Sequence, residues 1–346
     1  MARAVNHHRY KERPANPTDL SFEINYDYLQ CREFIIGDIQ VQEARHILFA
    51  TQDQLRLLLT KRWFIDGTFK IVDAPFNGGQ LMSIHSFMEK DGNCKQVPLM
   101  FALMSRRRRD DYVAVFRKLL DVLGTVQVEE FMLDCEQAAW LAVRECFPGA
   151  IVKGCVFHWT KAVWARVMDL GLKPAYMQRS SAFNLIRQLL CLPFLPAQHI
   201  RSTFLKFAEH ERSHPDREKR NRLMDYISRQ WLDHPIFDVD SWSVFGYQIR
   251  TNNDVEGYHH RLNSRAGPRG LSFYRLVPVL LSECQHAQRL ATLIASGSND
   301  GTNRGRQYRH LSQKVKDLFE KYSAGELTTT HYLRACGKLY GPLDMD

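Results

Sequence analysis

The sequence has no run of the roughly 18 apolar residues that a membrane-spanning helix requires. It has no C-x-x-C pair: its eight cysteines stand singly at 31, 94, 135, 146, 155, 191, 284 and 336. Its first twenty residues, MARAVNHHRYKERPANPTDL, are polar and proline-punctuated and lack the apolar segment of a secretory signal. Together these absences argue against a membrane protein or a disulfide scaffold, and point to reduced thiols in a cytosolic or nuclear setting. The chain also lacks an internal repeat and a low-complexity tract. What it has is a basic excess, 47 Lys and Arg against 38 Asp and Glu, for a net charge of +9. That balance favours polyanionic partners without requiring one. With 346 residues, 45% of them hydrophobic, the chain can bury a sizeable core as two or so domains or as one elaborated domain.

Residues 1–40 read as an irregular lead, disordered over the first 20. Residues 41–60 carry helical spacing at Ile47, Leu48, Leu55, Leu58 and Leu59. The pattern then changes. Trp63–Val72, Gln80–Met88 and Val97–Met104 read as strands, parted by DAPFNGG and by DGN at 91–93, which predicts an antiparallel meander. Asp110 or Asp111 caps a helix striped by Val113, Phe116, Leu119, Leu120 and Leu123. Val128–Leu133 reads as a short buried strand ending at Asp134, followed by a helix near 136–146, a strand at Ala150–Val152 and a helix at His158–Leu170. Three strands, helix, strand, helix, strand, helix is the order of the ribonuclease H-like fold, though other α/β folds share it. From about 176 to 235 the sequence is helical and densely charged; 241–250 (SWSVFGYQIR) reads as extended chain, and a helix opens at TNNDVEGYHHRLN. The last hundred residues are helical again, broken by SGSNDGTNRGR. The expected division is a lead at 1–40, a core at 41–170, a helical insertion at 171–240, a return to the core at 241–300 and a helical tail at 301–346.

Three carboxylates stand out. Asp66 sits in RWFIDGTF, inside an aromatic, β-favouring run; Asp134 ends a strand in FMLDCEQAAW; Glu256 lies one turn into a helix. Carboxylates that converge repel one another unless divalent cations fill the gap, and two Mg²⁺ ions about 3.5–4 Å apart clamp both oxygens of a phosphoryl displacement. Each acid also has a plainer reading: Asp66 in an Asp-Gly turn, Asp134 as a helix N-cap, Glu256 in a capping box opened by Asn253. Ligands on separate elements need no fixed spacing, so the residues by themselves leave both readings open.

FIDGTF at 64–69, FMLDCEQAAW at 131–140, CVFHW at 155–159 and TNNDVEGYHHRLN at 251–263, taken in that order, resemble the catalytic domain of Mutator-like element (MULE) transposases. The resemblance runs from about Arg62 to Asn263. It implies a ribonuclease H-like core of the retroviral-integrase type, a mixed five-stranded sheet, with an all-helical insertion before the third acid and a helical C-terminal region. It further implies a DDE triad of Asp66, Asp134 and Glu256 that binds Mg²⁺ or Mn²⁺ and cleaves and joins DNA strands. The implied partner is DNA, as transposon ends or target, in the nucleus; a second copy of the chain is an open partner, and a membrane is not expected. Many members carry a zinc-binding recognition module ahead of this domain. The residues before Arg62 hold one cysteine, Cys31, and no Cys/His ligand spacing, so sequence-independent DNA binding is expected. A domesticated DNA-binding or scaffold protein without catalysis is the rival reading.

Cys155 and His158 stand one helical turn apart, which suits zinc, but a pair is half a site and a hydrogen-bonded structural His158 is favoured. Trp159 and Trp164 are candidates for stacking on a DNA base, against the commoner role of core residues. Arg106, Arg107, Arg108 and Arg109 form the densest basic run and are candidates for phosphate contact or nuclear import; the plain alternative pairs them with Asp110 and Asp111.

Overall fold

The computed structural model describes residues 13–90, 93–179, 181–212, 217–247, 253–267, 269–296 and 303–340. The chain forms two compact units, one of residues 1–152 and 252–299, the other of 153–251 and 300–346.

The first unit opens with a short helix α1 (Tyr26–Leu29), then β1 (Ile35–Val41), β2 (Ala44–Phe49) and α2 (Gln52–Leu57). The meander follows as β3 (Arg62–Thr68), β4 (Gln80–Lys90) and β5 (Asn93–Met104). Next come α3 (Arg109–Leu123), β6 (Glu130–Leu133), α4 (Gln137–Cys146) and β7 (Ile151–Gly154). The sheet has seven strands in the order β1-β2-β5-β4-β3-β6-β7. Pairing is antiparallel from β1 through β3, and β3 runs parallel to β6.

Seven strands replace the expected five, because the segment read as a helix from 41 and as irregular before it supplies β1 and β2. The hairpin turns at Gln42, which adopts a left-handed backbone (φ 54°). No glycine, proline or asparagine marks that turn, so nothing local announces it. Both faces of β2 are covered, which hides the strand's alternation. Ile47 and Phe49 join a core with Phe101, Leu103, Tyr258 and Phe273, while His46 on the other face meets Asp111 of α3 at 3.1 Å. The helical reading survives only at α2, capped by Thr51 and Gln54. The disordered lead at 1–12 and most of the DGN turn lie outside the described residues.

After the second unit the chain returns as α11 (Asn253–Ala266) and α12 (Phe273–Ala295). The α11 helix packs on β3, and α12 on β4 and β5. The two helices meet the sheet through Tyr258, Leu262, Leu276, Val277 and Leu280, all buried. At about 25 cal/mol per Å² of apolar surface, this burial is what holds α11 to the sheet.

The second unit is helical: α5 (Val156–Asp169), α6 (Lys173–Met177), α7 (Ser181–Leu190), α8 (Ala197–Arg212), α9 (Arg217–Ile227) and α10 (Val239–Trp242), with α13 (Asn303–Ser323) and α14 (Thr329–Tyr340) from the C-terminal region. Its core stacks Trp159 on Trp242 (centroids 4.7 Å, planes 14° apart) with Trp231 edge-on. The expected extended stretch at 241–250 is instead the end of α10 and irregular chain as far as 247. Among the described residues no helix is long and apolar enough to cross a membrane.

Candidate metal centre

The Asp-Gly pair of RWFIDGTF is not a turn. Both residues lie within β3, Asp66 opposite Ser83 and Gly67 opposite Met82. The glycine serves a close approach: a Cβ there would fall 2.0 Å from Gln80 Oε1. Asp66 is buried, yet its carboxylate is held on both oxygens. Oδ1 accepts the Gly67 N–H at 2.8 Å, and Oδ2 lies 3.4 Å from His259 Nδ1.

Sheet register sets the second acid beside the first. Arg62, Trp63 and Phe64 of β3 face Glu130, Phe131 and Met132 of β6. Continued two residues, the same register sets Asp66 beside Asp134, on neighbouring parallel strands about 4.8 Å apart. Asp134 is half-buried just past the end of β6. Its Oδ1 accepts the backbone N–H of Glu136 at 3.2 Å, but Glu136, not Asp134, is the N-cap of α4, so the capping reading is corrected. The Asp134 carbonyl accepts the indole N–H of Trp140 at 2.6 Å. Burial, then the charges of Asp66 and Glu136, push the Asp134 carboxyl up to about 7. Burial disfavours the charged form, and the neighbouring like charges add to it.

Glu256 is half-buried on α11. One of its carboxylate oxygens lies within 4.8 Å of one of Asp66. Asp134 does not join a group of three metal-ligating side chains among the described residues. The capping box expected from Asn253 rests on side chains outside the described residues.

A second row of polar residues supports Asp134. Buried Gln80 donates to the Tyr112 hydroxyl, which donates to Glu136 Oε2 at 2.9 Å. Arg107 Nη1 lies 3.6 Å from Glu136 Oε1, and its guanidinium covers the ring of exposed Phe69 at 4.7 Å. Burial raises the Glu136 carboxyl, against the Tyr112 hydrogen bond and Arg107, which lower it. Sequence reasoning missed Gln80, Tyr112, Glu136, Ser83 and His85, and read His259 only as a residue able to complete a zinc site with Cys155 and His158. The available signals were Ser83 and His85 two apart on one strand face and His259 one turn beyond Glu256.

The remaining candidates separate. Arg106 is drawn away from DNA: it donates through Nε and Nη2 to Asp111, both at 2.9 Å. Burial alone would raise the Asp111 carboxyl, but Arg106, the Arg108 N–H and His46 hold it below its usual value. Arg107, Arg108 and Arg109 are exposed, with Arg109 paired to Glu145 at 2.6 Å. Trp159 and Trp164 are 1% and 4% exposed. They belong to the core of the helical unit and present no face to a base, so stacking by either is ruled out by burial. Cys155 is buried and precedes α5, and His158 is half-buried in its first turn. Among the described residues no group of three metal-ligating side chains includes Cys155.

Residues 62–162 match the family profile described as MULE transposase domain. The match takes in Asp66, Asp134 and the Cys155–His158 pair; Glu256 lies beyond it. A search of curated proteins finds no match to this chain.

Proposed function

We propose that this chain, a MULE transposase relative over the segment just given, is a DDE-type polynucleotidyl transferase that cleaves and joins DNA strands with Mg²⁺ or Mn²⁺. The observation that carries the reading is the convergence of Asp66 and Glu256 within 4.8 Å, with Asp134 just past the end of the adjoining strand. The inner five strands, β5-β4-β3-β6-β7, support a ribonuclease H-like core, the first three antiparallel and the fourth parallel to the first of the meander. On this reading the helical residues between Asp134 and Glu256 are an insertion into that core.

The three acids suit a hard cation, since each offers carboxylate oxygens. Asp66, Asp134 and Glu256 would hold the ions. When bound, two divalent cations activate the attacking oxygen and stabilise the leaving oxygen of an in-line displacement at phosphorus. The attacking oxygen comes from water in cleavage and from a DNA 3′-hydroxyl in strand transfer. The chain's own residues set the stage. Gly67 and His259 flank the Asp66 carboxylate, and Asp134 would release its proton to solvent on binding a cation, which favours the charged carboxylate. Exposed Arg107, Arg108 and Arg109 offer phosphate contacts, and the DNA substrate implies a nuclear protein.

Incubating the chain with DNA flanking its own locus, with Mg²⁺ or EDTA, tests the reading. Cation-dependent nicking or joining is expected. DNA binding without any cleavage would favour the domesticated binding-protein reading instead, and cleavage confined to an RNA–DNA hybrid would point to a ribonuclease.

A further inference from the structure

Three buried polar side chains run in a line behind Asp66. His259 Nδ1 lies 3.4 Å from Asp66 Oδ2. On the far side of the ring, His259 Nε2 is 2.8 Å from Ser83 Oγ. Ser83 Oγ is in turn 2.8 Å from His85 Nε2. Ser83, His85 and His259 are 0%, 1% and 5% exposed. Polar groups buried this deeply persist in a core only when hydrogen-bonded to one another.

The donors can be assigned from the ends inward. Asp66 is an acceptor, so the His259 proton belongs on Nδ1. In the tautomer with its proton on Nδ1, His259 accepts at Nε2, and the Ser83 hydroxyl is the donor there. Ser83 Oγ therefore accepts from Nε2–H of His85. Burial, with His259 nearby, pushes the His85 imidazole well below its usual value, so it is neutral with one N–H to give. The hydrogen bonds of the line join His259 Nε2, Ser83 Oγ and His85 Nε2, and Ser83 Oγ also lies 3.5 Å from the Asp66 carbonyl.

The line also joins elements. Asp66 is on β3, Ser83 and His85 on β4, and His259 on α11, one turn beyond Glu256. One turn further still, Asn263 pairs with Thr68 of β3: its Nδ2 is 2.8 Å and its Oδ1 3.0 Å from Thr68 Oγ1. A slip of one residue along α11 would shift Glu256 by about 1.5 Å and break both contacts.

We infer that His259, backed by Ser83 and His85, is a positioning residue for the cation site: it holds the Asp66 carboxylate in its ligating orientation and fixes the helix that carries Glu256. The inference rests on the cation-site reading above. Gly67 N–H donates to one Asp66 oxygen and His259 Nδ1 stands 3.4 Å from the other, so a turn of the carboxylate would give up both contacts. Residues of this kind, which orient a ligand without touching the metal, alter affinity by roughly 10–100-fold when replaced.

The test is Mn²⁺ binding to the full chain by titration calorimetry, with a thermal melt of each variant. Asp66→Asn is the control for the cation site. His259→Asn presents an amide N–H close to the lost Nδ1–H, whereas His259→Gln reaches Ser83 but leaves Asp66 Oδ2 without a donor. Binding by His259→Asn should stay within about threefold of wild type while His259→Gln weakens it by about 10-fold or more. Equal affinities for the two variants, strong or weak, would overturn the inference, because a space-filling role does not distinguish them. Should His259→Gln fail to fold, Ser83→Ala replaces it, since loss of the hydroxyl releases the ring; a folded Ser83→Ala with wild-type Mn²⁺ affinity would overturn the inference too. Wild-type Mn²⁺ binding by Asp66→Asn would instead show that the cation-site reading itself had failed.

Discussion

Asp134 should make the metal-free protein less stable as pH rises. Its folded carboxyl is raised to about 7 against an ordinary value of 3.8. A group whose folded value is raised contributes its stability in full below the ordinary value and loses it as pH climbs through the folded one. The loss therefore falls between about pH 4 and 8. At about 1.36 kcal/mol per unit the full span is about 4.4 kcal/mol, and the part between pH 5.5 and 8 is about 2 kcal/mol. Asp134 is only half-buried, so solvent screening makes these upper values. For a unit of roughly 200 residues the shift corresponds to about 4–8 °C of melting temperature. The assay compares wild type with Asp134→Asn in EDTA at pH 5.5 and 8. Wild type should lose stability relative to the variant as pH rises, and added Mg²⁺ should remove most of the difference by favouring the charged carboxylate. An identical pH dependence in both proteins would refute the account of a crowded, cation-free carboxylate site.

Three further outcomes follow from the same geometry. Arg106→Ala leaves Asp111 and His46 buried without their guanidinium and should destabilise by about 3 kcal/mol in a denaturant titration, whereas Arg108→Ala should leave stability within about 0.5 kcal/mol. Replacing Arg107, Arg108 and Arg109 together by alanine should flatten the log–log salt dependence of DNA binding by up to about 0.9 for each phosphate no longer neutralised, equally for unrelated sequences; an unchanged slope would leave them as solvated surface. Trp159→Ala should destabilise by about 3–5 kcal/mol while leaving the salt slope of DNA binding unchanged; a change in slope with stability intact would restore Trp159 as a DNA-binding residue.

Much of the sheet was legible because β3, β4 and β5 are β-branched and aromatic runs bounded by Pro, Asn and Gly, and β6 and β7 alternate with amphipathic helices. The β1–β2 hairpin was not, since its turn at Gln42 carries no turn residue and β2 is buried on both faces. Asp66, Asp134 and Glu256 came from a resemblance rather than from spacing, and the structure adds what spacing cannot: a shared register and a common approach. The hydrogen bond between His259 and Ser83 joins residues 176 positions apart, which no local pattern encodes. Arg106 illustrates the converse. A run of four arginines looks uniform in sequence, yet one of them is spent on the buried Asp111, a distinction that only packing creates.

The account stands or falls on cation-dependent chemistry at the three acids. The direct measurement is cleavage and strand transfer of locus-flanking DNA by wild type and by Asp66→Asn, Asp134→Asn and Glu256→Gln, each checked for an intact melt. Removing like charge from a crowded site relieves repulsion, so the apo variants should melt at or above wild type while activity in Mg²⁺ or Mn²⁺ disappears from all three. Full activity in any one of these folded variants would contradict the assignment of that acid as a metal ligand, and with it the central claim.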